Sequence, residues 1–225
     1  MKKRTDNKTA GRTGRKTKRG RDGNQIRKLN LLLMLAAAIG LLLFAARFIL
    51  QRQTIRIHSD PTYLSDSVLE YSDTVDFYAE KNGIAEYSDY LLAIMQVETG
   101  GRGDYVMQSS ESLGLPPGSL EPEDSIAQGC SYFAEILGEA EKKGCDLDAA
   151  IQAYNFGIDY LDFAAKRGGD SDLDMATEFA EWKSGGETTE YRSELASEVN
   201  GGWRYKYGNM FYAELVKKIV ENLKE

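Results

Sequence analysis

Apolar residues recur at helical spacing in several stretches between residues 65 and 223. No stretch alternates between apolar and polar residues for long enough to require a β-sheet. The pattern therefore predicts an all-α domain over residues 65–225, and about 160 residues are enough to bury one hydrophobic core. Glycine or proline near most of the ends supports the helix bounds. The predicted helices cover residues 65–81, 87–98, 122–143, 147–156, 172–183 and 209–223.

The 87–98 helix combines an apolar face with a carboxyl group. Glu98 shares that face with three apolar residues at helical spacing, Leu91, Ile94 and Met95. Burial and the carbonyl groups at a helix C-terminus both disfavour a carboxylate, so we expect the pKa of Glu98 to be raised. A general acid that works near neutral pH needs such a pKa. Most helical glutamates are solvated, however, so its position alone does not make Glu98 catalytic.

The N-terminal part of the chain has a different composition. Residues 1–30 carry a net charge of +10 and the remaining residues carry −17. The basic segment has almost no apolar residues, which predicts a disordered cytoplasmic tail. Residues 31–50 form an apolar run long enough to span a bilayer as a signal-anchor helix. Residues 51–64 are predicted to be a linker.

Positive charge before an apolar span indicates a cytoplasmic N-terminus and an extracellular C-terminal domain. We therefore expect a single-pass protein of the cell membrane whose folded domain lies at the cell wall. A cleaved signal peptide is the alternative, although the apolar run is longer than usual for one. Nucleic acid is not an expected partner, because the basic tail has no aromatic residues to stack on bases.

Histidine and cysteine are too scarce for several kinds of site. The single histidine, His58, lies in the predicted linker, which argues against a His-based triad or a multi-His metal site. Cys130 lies within the 122–143 helix and Cys145 just beyond it, roughly 20 Å away along the helix axis. We therefore expect two unpaired thiols. The sequence indicates neither a metal nor an organic cofactor.

Three short segments together suggest a function. Residues 98–101 have the sequence Glu-Thr-Gly-Gly, residues 106–111 Val-Met-Gln-Ser-Ser-Glu, and residues 153–157 Ala-Tyr-Asn-Phe-Gly. In this order and spacing they resemble the lysozyme-like superfamily, in particular goose-type lysozymes and lytic transglycosylases. The segments around Glu98 and Gln108 are most similar to the CwlT-type muramidase domain of Gram-positive cell-wall hydrolases. The resemblance covers roughly residues 65–225.

The resemblance implies an N-acetylmuramidase that binds peptidoglycan glycan strands. Glu98 matches the general acid that protonates the bond between N-acetylmuramic acid and N-acetylglucosamine. Gln108 and Ser109 match a loop that lines the sugar site. Tyr154 and Asn155 match a pair that holds the sugar and the acid. Amides and hydroxyls suit sugar hydroxyls, although Tyr154 also continues an apolar stripe that fits a core aromatic.

The sequence departs from the family pattern near the loop. Relatives often have an acidic residue two positions before the Met-Gln pair, where this chain has Tyr105, and Asp104 lies one position earlier. Asp104 and Glu111 are the candidates for a second carboxylate. Relatives also often continue into a cysteine peptidase domain, which does not follow within these 225 residues, so we expect cleavage of glycan only.

Several functions remain open at this point. Without a second carboxylate, Glu98 could act as acid and then as base, giving the 1,6-anhydro ends of a lytic transglycosylase. A non-catalytic wall-binding module is a further alternative. Secretion or conjugation machinery is a partner class that a membrane-anchored wall enzyme could serve.

Overall fold

The computed structural model describes residues 60–224 together with six positions nearer the N-terminus. Those six are Arg27, Lys28, Asn30, Leu31, Met34 and Ile39; they are helical and exposed, and they belong to a separate compact unit over residues 1–56. The predicted tail, membrane span and linker, with His58, therefore fall mostly outside the described residues. Within the described part, none of the helices combines the length and the hydropathy that crossing a membrane requires.

The second unit is mainly helical. Residues 60–224 contain nine α-helices, two 3-10 turns and one short antiparallel hairpin. The helices are α1 Asp66–Leu69, α2 Ser72–Lys81, α3 Ser88–Glu98, α4 Pro122–Lys143, α5 Leu147–Phe156, α6 Asp159–Ala165, α7 Leu173–Ser184, α8 Glu194–Asn200 and α9 Tyr212–Leu223. The 3-10 turns are Ala85–Tyr87 and Ser110–Leu113, and the strands are β1 Thr188–Glu190 and β2 Trp203–Tyr205.

The helices with the clearest stop signals have the bounds that the sequence predicts. α4 begins at a proline, whose missing N–H costs nothing at a first helical position. It ends at Gly144, which has a left-handed backbone with φ of 67°. α5 begins where the Asp146 side chain accepts a hydrogen bond from the Ala149 N–H. These signals are local, so the sequence alone contains them.

The predicted 65–81 helix is divided in two, at residues 70–71. Ser65 caps α1 by accepting a hydrogen bond from the Val68 N–H. The Tyr71 N–H then donates a hydrogen bond to the Val68 carbonyl, three residues earlier. The Ser72 hydroxyl donates to the Leu69 carbonyl at 2.6 Å. A serine that bonds a nearby carbonyl competes with the regular helical ladder, and here it ends α1.

The all-α prediction omits two short helices and the hairpin. α6 and α8 have seven residues each, and each strand has three, which is too short for a period of two to emerge. In the hairpin, Thr189 lies opposite Arg204. Two further backbone bonds, Tyr191 N–H to the Gly202 carbonyl and Lys206 N–H to the Glu187 carbonyl, extend the pairing. The fold is therefore helical with a small two-stranded sheet.

The core lies around α3, which is buried from Leu91 to Met95 and packs directly against α9. α9 contributes a buried face that begins at Tyr212 and continues through Val216. Cys130 and Cys145 are both free thiols, and Cys130 is packed in the core as a small apolar side chain. The α3–α9 contact fixes the end of α3, where Glu98 lies.

The end of α3 is also held by α1. The Ser65 N–H donates to Gln96 Oε1 at 2.7 Å, and the Ser65 hydroxyl donates to the Gly100 carbonyl at 3.0 Å. Gly101 makes this approach possible, because a Cβ there would lie 2.7 Å from the backbone carbonyl of Ser67. Position 101 therefore has no room for a side chain.

We predict that Gly101→Ala destabilises the domain by about 2–4 kcal/mol, from left-handed strain together with a backbone clash. Gly103→Ala is the matched control, because Gly103 also has a positive φ but has no neighbour within 4 Å of its Cβ position. The control should cost about 1–2 kcal/mol. Urea unfolding of the three proteins measures both values, and equal losses would contradict the proposed tight contact with α1.

Candidate active site

Glu98 is the last residue of α3 and is partly buried. The Tyr212 hydroxyl, at the start of α9, donates a hydrogen bond to Glu98 Oε1 at 2.7 Å. The pKa of Glu98 is raised to about 7 by three effects together: burial raises it, the Tyr212 hydrogen bond lowers it, and the negative charge of Glu111 raises it. Desolvation is the largest of these effects, so the carboxyl group is partly protonated at neutral pH.

The loop that follows Glu98 is held by hydrogen bonds to its carbonyl groups. The Thr99 hydroxyl donates to the Val106 carbonyl at 2.7 Å. Gln108 Nε2 donates to the Glu98 carbonyl at 3.1 Å. Gln108 is also the one non-glycine residue of the described chain with positive φ, at 46°. Strained backbone of this kind persists where surrounding contacts hold it, and here it directs the Gln108 side chain back to α3.

Helices α4 and α5 support the loop from beneath. The Met107 N–H donates to the Ser125 hydroxyl at 3.1 Å, and the Ser109 hydroxyl donates to the Ser125 carbonyl at 2.7 Å. The Tyr154 hydroxyl donates to the Met107 carbonyl at 3.1 Å. Gly129 leaves the space for this packing, since a Cβ there would lie 2.7 Å from the Met107 sulfur. Contacts with α4 and α5 thus fix the position of the loop relative to Glu98.

A cavity of about 310 Å³ lies between the loop and α5, with Glu98 in its wall. It contains the Glu98 carboxyl and the predicted binding residues together. Its lining residues are Glu98, Gln108, Ser109, Glu111, Ser112, Tyr132, Tyr154, Asn155, Phe156 and Gly157. Of the two candidates for a second carboxylate, Glu111 lines the cavity and is exposed, whereas Asp104 is exposed and does not line it.

The predicted binding residues differ in how their polar groups are used. The buried Ser109 and Tyr154 hydroxyls already donate to backbone carbonyls, so both side chains help to hold the loop. Asn155 Oδ1 accepts a hydrogen bond from the Asn209 N–H at 2.6 Å. The amide hydrogens of Asn155 and the exposed amide of Gln108 extend the hydrogen-bonding capacity of the cavity. Contact of any of these residues with a sugar stays a prediction.

The contact between Tyr212 and Glu98, which are 114 residues apart in the chain, is not among the sequence predictions. The Tyr212 ring stacks parallel to that of Tyr154, with centroids 6.5 Å apart. One signal was available, because a tyrosine in an otherwise aliphatic buried stripe needs an acceptor for its hydroxyl. Tyr132, also missed, lines the same cavity.

The described residues contain no cluster of three His, Cys, Asp or Glu side chains suited to a metal ion. The arrangement of the cavity offers proton transfer. A carboxyl group that is partly protonated at neutral pH faces a polar cavity, with a phenol in place to stabilise the carboxylate that remains after the proton leaves.

Comparison with known proteins identifies the family. A model of the family described as lysozyme-like matches residues 65–220. The chain belongs to the lysozyme-like family. The predicted likeness to the CwlT-type domain is also confirmed, since the chain is 34% identical over 159 residues to the bifunctional muramidase/DL-endopeptidase CwlT of Bacillus subtilis. That match covers 70% of this chain and 43% of CwlT.

Two further relatives of this lysozyme-like chain differ in how much of their length is matched. The uncharacterized membrane protein YocA of Bacillus subtilis is 30% identical over 202 residues, which are 85% of this chain and 84% of YocA. A crystal structure from Staphylococcus aureus, described as similar to lipoprotein of the NLP/P60 family, is 47% identical with a TM-score of 0.69. It covers 70% of this chain, and the match spans 54% of the Staphylococcus protein.

We predict that Tyr212→Phe raises the pKa of Glu98 above about 7. The substitution removes the hydrogen bond that favours the carboxylate and leaves the desolvation unchanged, since phenylalanine keeps the ring. The pH titration of the Glu98 carboxyl carbon by NMR measures the change.

Tyr154→Phe is the matched control, because its hydroxyl donates to the Met107 carbonyl and not to Glu98. This variant should titrate closer to the wild-type protein than Tyr212→Phe does. If the two variants shift the Glu98 pKa equally, or if Tyr212→Phe lowers it, the role assigned to the Tyr212 hydroxyl is wrong.

Proposed function

We propose that this protein is a peptidoglycan glycosidase that cleaves the β-1,4 bond between N-acetylmuramic acid and N-acetylglucosamine, with Glu98 as the general acid. The observation that carries the proposal is the Glu98 carboxyl itself, whose pKa is raised to about 7 by burial in the wall of a polar cavity. Membership of the lysozyme-like family and the likeness to a named muramidase support the same reaction class.

Glu98 would donate its proton to the glycosidic oxygen as the bond to the leaving sugar breaks. A carboxyl that is protonated near neutral pH suits this step, because an acid works best when its pKa lies near the working pH. The carboxylate formed would keep the Tyr212 hydrogen bond at Oε1. The hydrogen bond that lowers the resting pKa therefore also stabilises the product of the proton transfer.

Gln108 and Asn155 are the proposed sugar-binding residues whose polar groups face the same cavity. Each has amide hydrogens beyond the bonds it makes within the protein, and amides pair well with sugar hydroxyls and N-acetyl groups. Ser109 and Tyr154 would act chiefly by holding the loop, because their hydroxyls bond backbone carbonyls. Peptidoglycan glycan strands are thus the proposed partner.

Glu111 is the proposed second carboxylate, because it lines the Glu98 cavity and Asp104 does not. Its charge raises the Glu98 pKa, so the two carboxyl groups interact through the cavity. In hydrolysis such a group assists as base or nucleophile while the acid protonates the leaving oxygen. The exposure of Glu111, however, leaves Glu98 as the one desolvated carboxyl of the cavity.

That arrangement favours a second candidate, a lytic transglycosylase. Glu98 would act first as acid and then as base on the 6-hydroxyl of the same sugar, so that no second carboxylate is needed. The products would be 1,6-anhydro ends, lighter by one water than those of hydrolysis. The two reactions are therefore distinguishable by mass.

We further propose that residues 31–50 anchor the chain in the cell membrane, with the folded domain at the cell wall. The apolar run preceded by a net charge of +10 supports this orientation. The relative YocA, which matches over most of its length, is named a membrane protein.

Digestion of purified peptidoglycan by the full-length chain, with product masses measured without prior reduction, tests the function. We expect reducing ends, and we expect Glu98→Gln to lower turnover by about 10²–10⁴-fold, because the amide cannot donate a proton to the leaving oxygen as an acid does. Glu111→Gln should lower turnover more than its matched control Asp104→Asn. All three substitutions replace a carboxyl group by an amide of the same size.

If the products carry 1,6-anhydro ends and Glu111→Gln keeps its turnover, the protein is a lytic transglycosylase and the muramidase assignment is overturned. Binding of the glycan without products, unchanged in Glu98→Gln, would overturn the enzyme and leave a wall-binding module.

A further inference from the structure

Two neighbouring cavities share lining residues with the Glu98 cavity. One, of about 390 Å³, shares Gln108 and Glu111 with it. The other, of about 480 Å³, shares Asn155 with it and lies against the β-hairpin. We call the latter the hairpin cavity; its lining residues are Asn155, Thr189, Arg204, Lys206, Gly208 and Asn209. A polymer bound at Glu98 could therefore extend into both neighbouring cavities.

The two neighbouring cavities differ in charge. Among the described residues that line them, the first contains the Glu111 carboxylate and no cation, whereas the hairpin cavity contains Arg204 and Lys206 and no carboxylate. This is unusual for residues 31–225, which carry a net charge of −17. The hairpin cavity is thus a local cationic site on an acidic domain, which suits an anionic ligand that the rest of the surface repels.

Arg204 lacks an acidic partner among the described residues. Within residues 60–224 no ion pair includes Arg204, although Lys206 beside it pairs with Glu187 at 2.9 Å. Its guanidinium instead donates to the Gly208 carbonyl and lies 5.5 Å from the centre of the Tyr191 ring. Arg204 is also partly buried. A guanidinium held by carbonyls and a ring keeps its full charge for a ligand.

The position of Arg204 is fixed relative to the Glu98 cavity. Gly208 packs so closely on the end of α5 that a Cβ would lie 2.6 Å from the Phe156 ring and 2.7 Å from Asn155 Oδ1. The Asn209 N–H donates to Asn155 Oδ1 at 2.6 Å, and Gln152 Nε2 donates to the Asn209 carbonyl at 2.9 Å. The segment that follows β2 and the wall of the Glu98 cavity therefore form one hydrogen-bonded unit.

We propose that the hairpin cavity is a subsite for a carboxylate of the peptide that a peptidoglycan strand carries, with Arg204 as its principal binding residue. The proposal rests on the proposed function, because it places the glycan at Glu98. A guanidinium pairs with carboxylate through two parallel hydrogen bonds, and Thr189 and Asn155 add polar groups at the same cavity. In a peptide-bearing strand the lactyl carboxyl of N-acetylmuramic acid is held in the amide bond to the peptide, so the carboxylates of the strand are those of its peptides.

The test compares kcat/KM of the full-length chain on peptide-bearing glycan and on glycan freed of its peptides, with the lactyl carboxyl groups exposed by that treatment blocked as amides. For Arg204→Gln we expect the ratio of the two values to fall about tenfold or more, as for the loss of a charge-assisted hydrogen bond. Arg204→Lys, which keeps the charge, should restore part of the ratio. Arg192→Gln is the matched control, since Arg192 pairs with Glu190 and does not line the cavity, and its ratio should equal that of wild type.

Two further arms separate this proposal from its alternatives. A phosphate diester of another wall polymer is also an anion that a guanidinium can bind. Peptide-free glycan that retains its phosphate polymer is therefore a third substrate. If Arg204→Gln lowers kcat/KM on this substrate alone, the assignment of the subsite to a peptide carboxylate is overturned. Binding of each glycan by co-sedimentation is measured alongside cleavage. If wild type cleaves and neither Arg204→Gln nor Lys206→Gln changes the ratio, the subsite is wrong and the proposed function stands. If nothing is cleaved but Arg204→Gln loses binding to peptide-bearing glycan alone, the function fails and the subsite stands.

A general loss of folding in Arg204→Gln would lower both substrates together and would leave the ratio unchanged. Lys206→Gln therefore provides a second variant, because Lys206 lines the cavity but donates only to an exposed glutamate. Lys206→Gln should also lower the ratio, by a smaller factor than Arg204→Gln does. An unchanged ratio in both variants overturns the proposal.

Discussion

The hydrogen bond between Tyr212 and Glu98 joins the last helix of the folded unit to the end of α3, and the chemistry of the site depends on it. It forms because α9 packs on α3, which brings a phenol from near the C-terminus against the last residue of a buried helix. Desolvation raises the pKa of the carboxyl to about 7, and the phenol limits that rise. The core packing that stabilises the fold therefore also sets the protonation of its candidate acid.

The loop beside Glu98 depends on a second principle, the satisfaction of backbone carbonyls by side chains. Thr99, Gln108 and Tyr154 each donate to a carbonyl between residues 98 and 107. A segment with so many glycine and polar residues has little core of its own, so these bonds and the α4–α5 surface beneath it determine its shape. Residues that line the cavity therefore also hold the loop in place. Their replacement would affect both ligand binding and the shape of the loop.

The sequence contained the local determinants of the site but not the distant ones. Pro122 and Gly144 fix α4, and the shared face of Leu91 and Glu98 predicts a partly buried carboxyl, because both signals act within one helix. The contact with Tyr212 and the cationic hairpin arise from pairings across the chain, for which no short-range pattern exists. The three-residue strands were missed for the same reason, since they are defined by their partner and not by their own periodicity.

The pH dependence of kcat/KM on peptidoglycan tests the central claim, that a desolvated Glu98 donates the proton, most directly. The expected profile falls as pH rises through about 7, because only the protonated carboxyl can act as the acid and its free-enzyme pKa governs kcat/KM. The fall should track the titration of the Glu98 carboxyl in the same protein. A rate that is constant from pH 6 to about 9, or one that already falls near the ordinary glutamate pKa of about 4.3, would contradict the claim.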